Sequence, residues 1–143
     1  MVVNFKKLDE KAQKPKFGKP GDAGADLVAT SVDFSRDNNS QIVYGTGIAV
    51  EIPEGMVGLV FPRSSIRNYD LVLSNGVGVI DSGYRGEIMA TFNLKNPWAD
   101  IYKVGDRIAQ LVIVPVPVIQ YREVDELSET ERGEGGHGST GVK

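Results

Sequence analysis

The stretch "QIVYGTGIAVEIPEGMVGLVFPR", Gln41 to Arg63, alternates β-branched and aromatic residues with small or polar ones, turns at Pro53-Glu54-Gly55, and resumes at once with a second apolar run. Period-two alternation closed by Pro and Gly is a strand pattern, and the 3.6-residue spacing of a helix is nearly absent from it. The same signature extends outward. "LVLSNGVGVIDSGYRGEIMATFNLKN" predicts strand, turn, strand, turn and strand between Leu71 and Asn96, and "RIAQLVIVPVPVI", Arg107 to Ile119, predicts a last long strand. Pro115 and Pro117 fall on alternate positions, so their missing N–H groups are expected to point off one edge of the ladder. Only "SSIRNYD", after Pro62, predicts a helical turn or two. Many short strands in one chain imply an all-β fold: a sandwich, a jelly roll or a closed barrel.

With 143 residues the chain suits one domain with a real core. A composition of 41% apolar and 24% charged residues is that of an ordinary globular protein. The formal charge of −3 argues against general nucleic-acid binding, which calls for a basic excess, so any anion site must be local. Cysteine is absent, which excludes disulfides and thiolate zinc sites, and the single histidine, His137, cannot build a histidine-rich metal cage. The longest apolar run is nine residues, Leu111 to Ile119, two of them proline, so no membrane segment is expected. The first residues lack the apolar core of a signal peptide, and a cytoplasmic location, or a nuclear one in a eukaryote, is expected. From about residue 120 the composition shifts to Glu123, Asp125, Glu126, Glu129, Glu131 and Glu134 with no further strand. The expected organisation is a β domain over 1–122 followed by a mobile arm over 123–143.

Five segments could carry chemistry, and each also has a purely structural reading. "GEGGHGST", Gly133 to Thr140, falls one residue short of the phosphate-loop template, with Ser139 where the lysine should stand, and no helix follows it. Its glycine-rich backbone, the hydroxyls of Ser139 and Thr140, and Arg132 are still donors able to wrap an anion; a solvated tail is the alternative. In "PRSSIRNYD", Ser64 and Ser65 stand at a helix start, where they either cap it or ligate an oxyanion beside Arg63. "NGVGVIDSGYRGEI", Asn75 to Ile88, lets the backbone approach a ligand at Gly76 and Gly78 and sets Asp81 in a turn beside Tyr84. Asp81 is either turn chemistry or a general base facing a cavity. "DAGADL", Asp22 to Leu27, reads as a turn, and "GDRIAQL", Gly105 to Leu111, as a strand entrance with an Asp106–Arg107 ion pair. The amide of Gln110, among apolar neighbours, needs a buried partner.

Taken in order, these five segments resemble the five motifs of the homotrimeric dUTP diphosphatases: "DAGADL", "PRSSI", "NGVGVIDSGYRGEI", "GDRIAQL" and "RGEGGHGSTG". They span Asp22 to Gly141, nearly the whole chain. The resemblance implies a jelly-roll-like β-barrel subunit in a threefold homotrimer, with sites shared between subunits and the arm closing over a neighbour's nucleotide. It implies hydrolysis of dUTP to dUMP and pyrophosphate with Mg2+, water attacking the α-phosphorus, which limits uracil in DNA and supplies dUMP for thymidylate synthesis. Asp81 then matches the residue that activates the water. Asn75, Val79 and Ile80, with Met89 nearby, match the hairpin that reads uracil, and Tyr84 the aromatic packed on deoxyribose. Arg63, Ser64, Ser65 and Gln110 match phosphate donors, as do Arg132, Gly138, Ser139 and Thr140 of the arm. Asp26 matches an aspartate that holds magnesium through water.

One departure stands in motif five, where His137 replaces the phenylalanine that stacks on uracil in the family. An imidazole stacks too but titrates near pH 6.5, so closure is expected to depend on pH. Two other readings share most of these features. One is a dCTP deaminase-type relative with a different base-reading loop; the other is a non-catalytic trimeric nucleotide-binding module acting through a protein partner.

Overall fold

The computed structural model describes residues 1–34 and 40–136. The strands are β1 (Asn4–Lys7), β2 (Ala25–Val28), β3 (Ser31–Phe34), β4 (Gln41–Gly45), β5 (Ile48–Glu51), β6 (Met56–Pro62), β7 (Leu71–Leu73), β8 (Gly78–Ile80), β9 (Met89–Leu94) and β10 (Arg107–Pro115). One short 3₁₀ helix, Ser64–Asn68, follows β6. All pairings are antiparallel and fall into three sheets: β1-β5, β2-β10-β6-β8 and β3-β4-β9-β7. The all-β expectation holds, in a jelly-roll-like arrangement.

Sequence neighbours are parted between sheets. β4 and β5 are one alternating run in sequence, yet β4 pairs with β3 and β9 while β5 pairs with β1. The break is at Gly47, whose φ of 64° is left-handed and against which Asp9 and Ala12 pack closely, so a side chain there would be strained and crowded. The run Leu71–Ile80, expected as strand, turn and strand, also divides: β7 pairs with β9 and β8 with β6. The last strand is shorter than expected and ends at Pro115. β2 pairs with β10 only from Arg107 to Leu111, so beyond it the side away from β6 has no strand partner among the described residues. The Val116 N–H donates toward β6, to the Gly55 carbonyl at 2.8 Å, which leaves the alternate positions Pro115 and Pro117 facing that open side.

Between the two four-stranded sheets lies a core that includes Leu27, Ile42, Tyr44, Val60, Leu71, Phe92, Tyr102 and Ile108. Tyr44 meets Phe92 and Tyr102 edge to face at 5.8 and 6.1 Å and donates its hydroxyl to the Tyr102 carbonyl at 2.9 Å. Burial pushes the Tyr44 pKa up to about 12. From Val116 to Gly136 no strand forms; Val118, Tyr121 and Leu127 are exposed, and Arg132 Nε donates to the Gly135 carbonyl within the segment. No helix among the described residues is long and apolar enough to cross a membrane.

Candidate active site

Strand alternation builds the first half of the site. In β2, Ala25 and Leu27 point into the core, which turns Asp26 to the other face; in β10, Ala109 and Leu111 do the same for Gln110. Register sets Gln110 directly opposite Asp26 on one side and Phe61 on the other, so the last residues of β6 join the same row. Arg63, just past β6, then reaches Asp26. Its Nε donates to Asp26 Oδ1 at 2.6 Å, while Arg107 Nη1 donates to Oδ2 at 3.0 Å. Arg107 therefore pairs with Asp26 rather than with its neighbour Asp106, whose carboxylate instead accepts the Lys103 backbone N–H at 2.7 Å. Two guanidinium groups on one carboxylate leave a local excess of positive charge in a net acidic protein, suited to an anion.

This pocket, about 480 Å³, is lined by Asp22, Gly24, Asp26, Arg63, Ser64, Arg107 and Gln110 among others. The Gln110 amide has its partner: Nε2 donates to the Pro62 carbonyl at 3.0 Å, and the side chain lies so close over Gly24 that a methyl group there would displace it. Neither serine caps the 3₁₀ helix, because Arg63 occupies the capping position and makes no side-chain cap bond. Ser64 is exposed and lines the pocket; Ser65 is half-buried and its hydroxyl accepts from Arg63 Nη1 at 3.3 Å.

The second half lies between β8 and β9, where a cleft of about 280 Å³ is lined by Val79, Ile80, Asp81, Tyr84, Glu87, Met89 and Thr91. Its lining holds no arginine or lysine, so the cleft by itself offers no cation for a triphosphate. The Tyr84 N–H donates to the Asp81 carbonyl at 3.0 Å, which closes the turn, and Arg85 Nη1 donates to the carbonyls of Ser82 and Tyr84 at 2.6 and 2.9 Å. Tyr84 folds back across Gly86 so that its hydroxyl donates to the Glu87 carbonyl at 3.0 Å. Asp81 is exposed and forms no ion pair among the described residues, so its carboxylate is open to water. Asn75 is exposed beside Gly78 and outside the cleft lining.

The sequence-predicted residues thus gather into two groups that share no lining residue: Val79, Ile80, Asp81, Tyr84 and Met89 in one, Asp26, Arg63, Ser64 and Gln110 in the other. Arg132 stands apart in the arm, and His137, Gly138, Ser139 and Thr140 lie outside the described residues. Sequence reasoning gave Arg107 only an ion pair with Asp106, which the structure replaces by Asp26, and passed over Glu87. The signal for both was their place inside the fourth and third motifs. Glu87 Oε1 accepts the Gly47 N–H at 2.7 Å, which ties the cleft to the chain break between β4 and β5.

Comparison with known proteins agrees with this geometry. The dUTPase family model matches residues 10–141. Deoxyuridine 5'-triphosphate nucleotidohydrolases of Rhodococcus erythropolis and Corynebacterium glutamicum are 42% and 44% identical, over 99% and 98% of this chain and 87% and 95% of theirs. A mutant Staphylococcus bacteriophage 80alpha dUTPase solved with dUpNHpp superposes with a TM-score of 0.82 at 31% identity, covering 99% of both chains. A mutant dUTPase from phage phi11 of S. aureus, described with a coordinated structural Mg(II) ion, gives a TM-score of 0.72 at 28% identity over 88% of this chain and 98% of its own. Five ordered motifs, a β-rich subunit of matching topology and full-length relatives converge: this chain belongs to the dUTPase family.

Proposed function

We propose that the protein hydrolyses dUTP to dUMP and pyrophosphate, with Asp81 as general base and the Arg63 pocket holding phosphates. The observation that carries the assignment of roles is the contrast between the two groups of residues. One has an unpaired carboxylate beside an aromatic, the other a carboxylate already engaged by two arginines. An unpaired carboxylate accepts a proton from water; a doubly paired one serves charge and position. Asp81 draws the proton from the water that attacks the α-phosphorus, and Arg63, Ser64 and Gln110 favour negative charge on the departing pyrophosphate. Ser65 supports that group through Arg63. Asn75 and the backbone at Val79 and Ile80 read the uracil edge. Cytosine, presenting an amino group to the same fixed backbone, leaves buried polar groups unpaired. Tyr84 against the sugar leaves no room for a ribose hydroxyl.

Magnesium fits the donors present. Each Asp26 oxygen accepts one arginine and keeps a lone pair for a metal-bound water. Among the described residues no three acidic, cysteine or histidine side chains cluster, which suits an ion carried by phosphate oxygens and water rather than a protein cage. When bound, it would offset triphosphate charge beside Asp26.

The separation of the two pockets supports a site completed between subunits of a homotrimer. Exposed Phe17, Trp98, Val118, Tyr121 and Leu127 offer the apolar surface that such association buries. The arm, with Arg132, His137, Gly138, Ser139 and Thr140, closes over the phosphates and base of a neighbour. The test is pyrophosphate release from dUTP, dCTP, dTTP and UTP, with Mg2+ and with EDTA. Release from dUTP alone, abolished by EDTA, is expected; release from none of them by folded protein would leave a nucleotide-binding module.

A further inference from the structure

Ahead of the first of the five motifs, the chain adds a short stretch to the edge of the sheet that carries Asp26. Lys16 pairs with Asp26 as an isolated antiparallel bridge: the Asp26 N–H donates to the Lys16 carbonyl at 2.9 Å and the Lys16 N–H to the Asp26 carbonyl at 3.4 Å. Residues directly opposite in an antiparallel pair present their side chains to one face. Gln110 stands opposite Asp26 on its other side, so Lys16, Asp26 and Gln110 form one row across the face that holds the Arg63 pocket. Together with Lys14, Val28 and Arg107, Lys16 and Asp26 line a second basin of about 390 Å³. The two basins share Gly18, Asp26 and Arg107, so they lie side by side, divided by the ion pair of Asp26 with Arg107. Both Asp26 oxygens already accept from Arg63 and Arg107, and exposed Lys16 forms no ion pair among the described residues.

We propose that Lys16 is a further phosphate-binding residue: its ammonium holds the pyrophosphate portion of dUTP, the part that leaves. The inference rests on the reading of the Arg63 pocket as the phosphate site. That pocket also admits Asp22, so its lining sets two arginines against two aspartates, whereas the neighbouring basin sets Lys14, Lys16 and Arg107 against Asp26 alone. The stronger positive field therefore lies on the Lys16 side. A terminal phosphate bears more charge than an internal one and gains most from full cations, while the neutral donors Ser64 and Gln110 stay with the Arg63 pocket. Among the cations of the second basin, Lys16 is the one whose backbone register fixes it beside Asp26. An ammonium is a point charge on a flexible stem whose donors turn with their partner, so it can follow the pyrophosphate as charge develops on it and it departs.

Lys16→Gln, Lys19→Gln and Arg63→Ala are to be compared with the parent for binding of dUpNHpp, dUMP and inorganic pyrophosphate in Mg2+, and for melting temperature. Lys19 is exposed and lines neither basin, so its replacement removes a nearby charge without removing a contact. Lys16→Gln is expected to weaken dUpNHpp and pyrophosphate about tenfold, the scale of one charge-assisted hydrogen bond, and to leave dUMP affinity and melting temperature as in the parent. Lys19→Gln should stay within about twofold of the parent for every ligand. Binding by Lys16→Gln no weaker than by Lys19→Gln, with Arg63→Ala impaired, overturns the proposal and leaves the pocket reading intact. An equal loss of dUMP affinity places Lys16 at the α-phosphate and overturns it, as does a fall in melting temperature that weakens all three ligands together. Unchanged dUpNHpp affinity in Arg63→Ala removes the pocket reading, and this inference with it.

Discussion

The cleft at Asp81 and the pocket at Arg63 are built in opposite ways. The first comes from one short stretch of chain, residues 79–91, folded by a tight turn with local hydrogen bonds, Tyr84 to Asp81, Arg85 to Ser82, and the Tyr84 hydroxyl to the Glu87 carbonyl, and tied to the rest of the fold by Glu87 to Gly47 and Arg85 to Glu51. The second joins Asp26, Arg63 and Arg107, separated by 37 and 81 residues, through the register of three neighbouring strands. The local turn leaves its carboxylate unpaired, whereas the long-range assembly saturates its own with arginine. In the proposed mechanism, chemistry falls to the part that a few residues can shape, and charge balance to the part that needs the whole sheet.

The largest expected effect tests that assignment directly. Asp81→Asn should lower kcat by roughly 10² to 10⁴, the range of a general base, with dUpNHpp affinity nearly unchanged; steady-state turnover and equilibrium binding measure the two, and near-normal turnover would move the base elsewhere. Next comes the separateness of the two halves. Asp81→Asn and Arg63→Ala proteins, each inactive, should regain roughly a quarter of parental activity when unfolded and refolded together at equal amounts, because random trimers then bring intact halves from different subunits together at that frequency. No recovery would place both halves in one subunit.

Two glycines sharpen the comparison at the scale of single side chains. Gly86→Ala meets the Tyr84 ring and should lower discrimination of dUTP against UTP about tenfold, whereas Gly24→Ala meets Gln110 and should raise KM for dUTP by a similar factor without altering that discrimination. Competition kinetics with both nucleotides separates the outcomes, and the same effect from both substitutions would dissolve the distinction. The smallest effect belongs to the arm. Between about pH 6 and 8, KM for dUTP should shift about twofold in the parent and stay flat in His137→Phe; matching profiles would remove the imidazole from the mechanism.

Legibility followed the same division. The Asp81 turn was readable because Asp-Ser-Gly fixes backbone geometry within four residues. Gln110 was recognisable as needing a partner, but not that the partner is the Pro62 carbonyl, on a strand 48 residues away. Arg107 was misassigned to Asp106 because adjacency in sequence suggests a pair, yet successive residues at a strand entrance point to opposite faces. Ser64 and Ser65 were alike on paper; the turn of the 3₁₀ helix leaves Ser64 exposed to the pocket and Ser65 half-buried toward Arg63.

Alternation, turn residues and five ordered motifs determined, without coordinates, an all-β chain of the dUTPase family and the identity of its general base candidate. These are properties of a few consecutive residues, and the physics that enforces them acts over the same range. Tertiary structure alone decided that β4 and β5 part at Gly47, that Asp26 is held by two arginines, and that the Asp81 cleft and the Arg63 pocket share no lining residue. Strand order and register are fixed by which apolar faces can be buried together, a condition on the whole chain that no single segment carries.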